Sequence, residues 1–232
     1  MRFASLLILV LVLASCGPSA RVTRLPEKQG FTAPSEDNPQ LPSKDIAQQF
    51  APTPFGQWQL IVYNVSQLSS HEFTLDHEFA GGVEVKVRGE LGRIVYSKPQ
   101  SLPDRSIMDT VFFDTSTQRA VGFCRNDENV CRPFVGSRFP LQYVKYYRVT
   151  PRDWVLKFAN ASPTELTPKA QVVRDHFTTK VVFENPRLKT TLFLDEYTKL
   201  PISVTEEGTN VKRSYAYDNI RINAVDAKEV FH

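Results

Sequence analysis

The sequence predicts an α+β fold that is mostly β, an antiparallel meander of hairpins joined to a small number of helices. Three observations carry that prediction. Apolar residues recur with a period of two, as where Phe73, Leu75, His77 and Phe79 alternate with Glu72, Thr74, Asp76 and Glu78. The patterned segments are bounded by turn residues, at Gly81-Gly82, Asn185-Pro186, Leu200-Pro201 and Gly208-Thr209-Asn210. Within residues 55–232, helical signals are confined to residues 56–69 and to a start at Thr150. With 41% hydrophobic residues in a chain of 232, there is enough to bury a core, which excludes a wholly disordered protein. Three Cys are too few for a disulfide-dense miniprotein, and a formal charge of +3 is too small and dispersed for a nucleic-acid binder.

The first element is an export signal. Met1-Arg2 is a short positive start, and residues 3–14 are apolar except for Ser5. At about 1.5 Å per residue this run reaches roughly 18 Å, well short of a ~30 Å hydrocarbon core, so it is a signal h-region and not a span. It ends in Leu13-Ala14-Ser15-Cys16-Gly17, which resembles the lipobox of prokaryotic lipoproteins. That resemblance implies cleavage before Cys16 and its acylation with palmitate-type chains. The alternative is a secreted protein cleaved near this point with an incidental Cys. Two or more acyl chains give stable anchoring at about 0.8 kcal/mol per buried CH₂. The domain plan is therefore a leader over 1–15, a lipidated Cys and tether over 16–54, and a β-rich domain over 55–232. The tether holds seven of the 16 Pro and few large apolar residues. It reaches from about 35 Å as a coil to about 120 Å extended. A short helical turn near 43–50, capped by Ser43, fits within it.

In the domain, Trp58, Ile61, Val62, Val65 and Leu68 follow a helical period, so residues 56–69 form an amphipathic helix. Strands follow over 73–79, 83–87, 93–98, 107–114 and 118–124. Thr150, Pro151 and Asp153 provide a cap, a first-turn proline and an acid at the third position, which predicts a second helix ending near Asn160. Strands return over 171–177, 179–184, 189–195, 202–206 and 211–222.

If Cys16 carries lipid, Cys124 and Cys131 remain as a pair in an oxidising compartment, with a polar, turn-rich loop between them. A disulfide is the natural reading, and closing so short a loop contributes roughly 2.5 kcal/mol. Redox or metal chemistry is the weaker alternative, since no CxxC spacing or His cluster accompanies the pair.

The order of elements, with the segments Leu194-Asp195-Glu196-Tyr197-Thr198-Lys199-Leu200-Pro201 and Tyr215-Ala216-Tyr217-Asp218-Asn219-Ile220-Arg221-Ile222-Asn223 followed by Phe231, is similar to the LolA/LolB-like lipoprotein-carrier superfamily. The resemblance implies a curved, incomplete barrel whose concave apolar face is covered by helices, with room for an acyl chain. Val85, Phe113, Phe183, Leu192 and Tyr215 are the candidate lining of such a cavity. Complete coverage of the face by the helices, with no cavity left, is the alternative.

Chemistry is sparse. His71, Glu72, Asp76, His77 and Glu78 lie close in sequence, yet on a strand the two His are about 20 Å apart and the acids face away. No HExxH, GxSxG or glycine-rich phosphate loop is present. The chain therefore reads as a non-enzyme with no cofactor and no metal. Arg132, Arg138, Lys145, Arg148, Arg152 and Lys157 are interleaved with Phe134, Phe139, Tyr143, Tyr146, Tyr147 and Trp154. They mark either a face for anionic headgroups or a protein, or a solvated rim. Asn64 and Asn160 sit in glycosylation sequons, of use only in some hosts. Three functions stay open: a membrane-tethered binder or carrier of a lipid or acyl ligand, an interaction or sensor module for an envelope protein on the same fold, and an unrecognised hydrolase. The expected place is the cell envelope, on a periplasmic or extracytoplasmic face, with no nucleic-acid partner.

Overall fold

The computed structural model describes residues 49–50, 52–76, 82–125, 131, 134 and 136–230. The leader, Cys16, the tether up to residue 48 with the turn capped by Ser43, His77, Glu78, Phe79, Gly81, the 126–130 loop, Arg132 and Phe231 lie outside the described residues.

Helix α1 (Pro54–Ser66) begins where Thr53 accepts the Gly56 N–H through its side-chain oxygen at 3.0 Å, with Pro54 in the first turn. It buries Trp58, Ile61 and Val65, the apolar stripe read from the sequence. Eleven strands then form one antiparallel sheet. They are β1 (Ser70–Asp76), β2 (Val83–Arg88), β3 (Leu91–Ser101), β4 (Ile107–Asp114), β5 (Arg119–Phe123), β6 (Arg138–Leu141), β7 (Glu165–Val173), β8 (His176–Asn185), β9 (Leu188–Asp195), β10 (Pro201–Gly208) and β11 (Val211–Ile222). The spatial order is β6-β5-β4-β3-β2-β1-β11-β10-β9-β8-β7. Two meanders thus meet at the centre, where the first strand pairs with the last. The sheet is curved and unclosed, with β6 and β7 as its edges.

Register explains the core. Phe73, Val85, Ile94, Val111, Gly122 and Phe139 are successive cross-strand partners in one half of the sheet. Tyr215, Val204, Leu192, Val181 and Leu166 form the matching row in the other. Because side chains alternate, each row points to one face, and that concave face carries α1 and the mid-domain helix α3 (Pro151–Lys157). At the centre Asn223 N–H donates to Ser70 O at 2.8 Å, and its side-chain oxygen accepts from Ser69 N–H at 3.1 Å. Gly92 is required where it stands: a Cβ there would lie 2.0 Å from the ring of its partner Phe113.

Several boundaries differ from the sequence expectation. Strands expected over 171–177 and 179–184 are replaced by β7 and β8, with the turn at Arg174 and Asp175, both in the left-handed region at φ 50° and 65°. No Gly, Pro or Asn marks that turn; only Asp175 hints at it. The mid-domain helix has its expected capping box but ends at Lys157. Strand β6, the short helix α2 (Tyr143–Tyr146) and the helix α4 (Ala227–Val230) were not expected. Pro140 argues against a strand in general but is tolerated on an edge, which is where β6 lies. Helix α4 lies against β2 and β3, where Glu229 pairs with Lys86 at 2.5 Å and Val225 O accepts from Arg88 at 2.6 Å.

Candidate functional site

The five candidate lining residues share the concave face, and Phe113, Phe183 and Tyr215 meet rings of the segments lying over it. Val85 and Leu192 are fully buried in the core. The Phe183 ring stacks on Phe158 at 4.3 Å and takes the edge of Trp58 at 5.0 Å. Phe113 meets Tyr147 edge-on at 5.3 Å, and Tyr215 meets Trp154 at 5.0 Å. Trp58, fully buried, donates its indole N–H to Phe158 O at 2.9 Å, and Gln59 donates to Ala159 O at 2.7 Å. The two helices are therefore fastened to each other as well as to the sheet. Each such buried side chain contributes about 1.5–3 kcal/mol, so an acyl chain lying along Phe183 would have to displace well-packed rings.

Polar groups lock the middle of this face. Trp154 donates to the Tyr217 hydroxyl at 2.7 Å, and that hydroxyl donates to Val149 O at 2.9 Å. Tyr147 donates its hydroxyl to Asp153, whose carboxylate also accepts the Thr150 N–H at 2.8 Å. Burial raises both hydroxyls far above the ordinary tyrosine range, helped at Tyr147 by the Asp153 charge, so both stay protonated donors. His71 is buried and stacked on Phe73 at 5.8 Å. Burial first, and the Arg152 charge second, lower it to about 3, so the imidazole is neutral. Among the described residues its Nε2 and the Arg152 Nε have no hydrogen-bond partner. Its acidic neighbour Glu72 faces the other side of the sheet, paired with Arg221 at 2.6 Å and Lys86 at 3.4 Å.

Opposite in character is the β7–β8 hairpin. Val172 and Phe177 are direct cross-strand partners and are 57% and 66% exposed. The Glu196 N–H donates to Phe177 O at 3.0 Å, which brings the β9–β10 turn and its 74% exposed Tyr197 beside them. Tyr197 also borders a cleft of about 320 Å³, with Arg174, His176, Asp195, Thr198 and Asp218. The buried Asp195 carboxylate accepts from His176 Nδ1 at 3.0 Å, Thr198 N–H at 2.7 Å and the Thr198 hydroxyl at 2.9 Å. Arg174 is paired with Asp218, and with Asp76 at 3.6 Å. These polar groups are thus mutually satisfied, whereas Val172, Phe177 and Tyr197 are left exposed. Sequence reasoning placed Val172 and Phe177 inside one strand; the turn at Arg174 and Asp175 makes them a pair.

Cys124 and Cys131 are bridged, with Cα atoms 5.8 Å apart. Asn64 lies in α1 and Asn160 in the exposed turn after α3. Among the described residues no group of three His, Cys, Asp or Glu is placed to hold a metal ion, and no helix is long and apolar enough to cross a membrane.

No family model and no curated protein matches the chain. Among solved structures it is similar to the crystal structure of MucB, at 11% identity and a TM-score of 0.44, over 76% of this chain and 62% of that one. It is similar also to a DUF1329 family protein from Desulfovibrio piger, at 7% identity and a TM-score of 0.33, over 78% and 98%. A third similarity is to a structure described as an outer membrane lipoprotein-sorting protein domain from Vibrio parahaemolyticus, at 10% identity and a TM-score of 0.28, over 74% and 95%. The chain thus spans about three-fifths of the MucB chain it matches.

Proposed function

We propose that this chain is a lipid-anchored protein of the cell envelope, held by Cys16 and the tether over 16–54, and that its domain over 55–232 is a non-enzymatic module that binds another envelope protein. The observation that carries this reading is the contrast between two apolar surfaces. On the concave face Trp58, Phe158 and Phe183 pack on one another, while Val172 and Phe177 stand in solvent at the hairpin and Tyr197 in the β9–β10 turn tied to it. Exposed, rigidly presented aromatic and branched side chains beside satisfied polar groups suit protein contact. A carrier would instead require the rings over Phe183, Phe113 and Tyr215 to move aside for an acyl chain.

A photo-crosslinking amino acid in place of Phe177, in the full chain in its native envelope, tests this. The expected result is one protein adduct of discrete mass, competed by purified unlabelled chain and lost on Val172→Asp. Lipid adducts alone, together with a lipid mass that co-purifies in native mass spectrometry and weakens on Phe113→Glu or Phe183→Glu, would establish a carrier instead.

A further inference from the structure

Between residues 129 and 152 the chain has Arg132, Arg138, Lys145, Arg148 and Arg152 and no Asp or Glu. The described part of this stretch contains α2, none of whose residues is buried, and runs on into the first turn of α3. Val144 is 89% exposed, the most exposed of the large apolar side chains on the described surface. It is not on a loose loop. Tyr143 stacks on Tyr147 at 4.9 Å, and Tyr147 is pinned by Asp153 and by the Phe113 ring. The Tyr147 N–H donates to Tyr143 O at 2.8 Å, and Arg148 donates to the carbonyls of Lys145 at 3.0 Å and Tyr147 at 3.2 Å. Lys145 Nζ lies over the Tyr146 ring at 5.5 Å.

Charge separates this surface from the hairpin. Around Val172 and Phe177 three cations are held in ion pairs: Arg174 with Asp218, Lys180 with Glu165 at 2.9 Å, Lys199 with Glu196 at 3.3 Å. Around Val144, among the described residues, no carboxylate pairs with Arg138, Lys145 or Arg148; their contacts are rings and carbonyls. An aliphatic side chain at the tip, half-buried tyrosines at its base, whose nearest acids are Asp153, Asp114 and Glu90 around Tyr143, and cations held in no ion pair beside it form the arrangement that an anionic bilayer surface satisfies. The aliphatic group enters the acyl boundary, the tyrosines sit at headgroup level and the cations meet phosphate.

We propose that α2 and its flanks are a docking surface for an anionic lipid bilayer, with Val144 the inserting side chain and Lys145 and Arg148 the headgroup contacts. The proposal goes beyond the protein-binding reading and uses a different face. It draws on the lipid anchor only for a nearby bilayer.

The test places a solvatochromic naphthyl amino acid at position 144 of the full chain, reconstituted with phosphatidylglycerol-rich or pure phosphatidylcholine vesicles. With phosphatidylglycerol, the emission shifts to the blue, is quenched by nitroxide-labelled lipid and returns in about 0.5 M salt, where charge is screened within a few ångströms. With phosphatidylcholine it stays solvent-like. Lys145→Gln weakens the shift-forming association about fivefold, and Lys145→Gln with Arg148→Gln about 25-fold, at the usual contribution of one cation near an anionic leaflet. Solvent-like emission on both vesicles, an equal shift on both, or indifference to the loss of both cations would overturn the proposal. Flotation separates the two readings. A chain that floats with both vesicles but shows no shift retains its anchor and lacks the docking surface. One that floats only with phosphatidylglycerol, with the shift, has the docking surface and lacks the anchor.

Discussion

The indole N–H of Trp154 donates to the hydroxyl of Tyr217 at 2.7 Å, joining α3, with its full capping box, to the strand that pairs with β1 at the centre of the sheet. Both rings are buried, and the Tyr217 hydroxyl passes the chain on to Val149 O. This relay fixes how α3 lies on the concave face, and so whether that face is filled or open.

Tyr217→Phe keeps the ring and removes the oxygen, leaving a buried indole N–H and a carbonyl unpaired. The cost is about 3 kcal/mol, at roughly 1–3 kcal/mol for each unsatisfied group. Chemical denaturation should register it as a lower midpoint with an unchanged slope. A midpoint within error of the parent would mean that water replaces the hydroxyl.

His71 makes stability depend on pH. Its folded value of about 3 lies below the ordinary 6.5. Below pH 6.5 the unfolded chain therefore takes up a proton that the folded chain does not. Stability from this group is complete above 6.5 and falls as pH drops toward 3, by at most about 1.4 kcal/mol per pH unit. His71→Phe, stacked on Phe73, should remove that part of the slope between pH 6 and 4. Parallel pH–stability curves for parent and variant would show that His71 titrates normally.

Gly92 and Phe113 form a size-matched pair across β3 and β4. Gly92→Ala should destabilise by about 1–3 kcal/mol through the crowded ring, and combining it with Phe113→Leu should recover part of the loss. Additive effects in the double-mutant cycle would contradict the contact.

Val172→Asp and Phe177→Asp should each leave the thermal midpoint almost unchanged, because exposed substitutions shift stability by only about 0.5 kcal/mol. Binding of the envelope partner should nevertheless be lost. A large drop in midpoint would mean that the pair serves the hairpin and not a partner.

Much of the fold was legible in local pattern. The helical stripe of Trp58, Ile61 and Val65, the capping box at Thr150 and Asp153, and the alternation along Val83, Val85 and Val87 each depend on neighbours a few residues away. Such signals survive in a one-dimensional string because backbone geometry sets their period. The turn at Arg174 and Asp175 was not legible, since residues without the usual turn chemistry adopt positive φ there only because the paired strands demand it. Strand β6, with Pro140, was hidden by the same logic: an edge tolerates what the rule for central strands forbids.

The sequence by itself determined the class of the fold, the alternation that gives the sheet an apolar face, and the Cys pair that closes near β5. Only the tertiary structure decided that β1 pairs with β11, and that Trp58 and Phe158 come over Phe183. Tertiary packing also left Val172, Phe177 and Val144 outside the core. The physical reason is separation along the chain. An apolar residue carries the same tendency to leave water wherever it stands, and its fate depends on whether a segment a hundred residues away arrives to cover it.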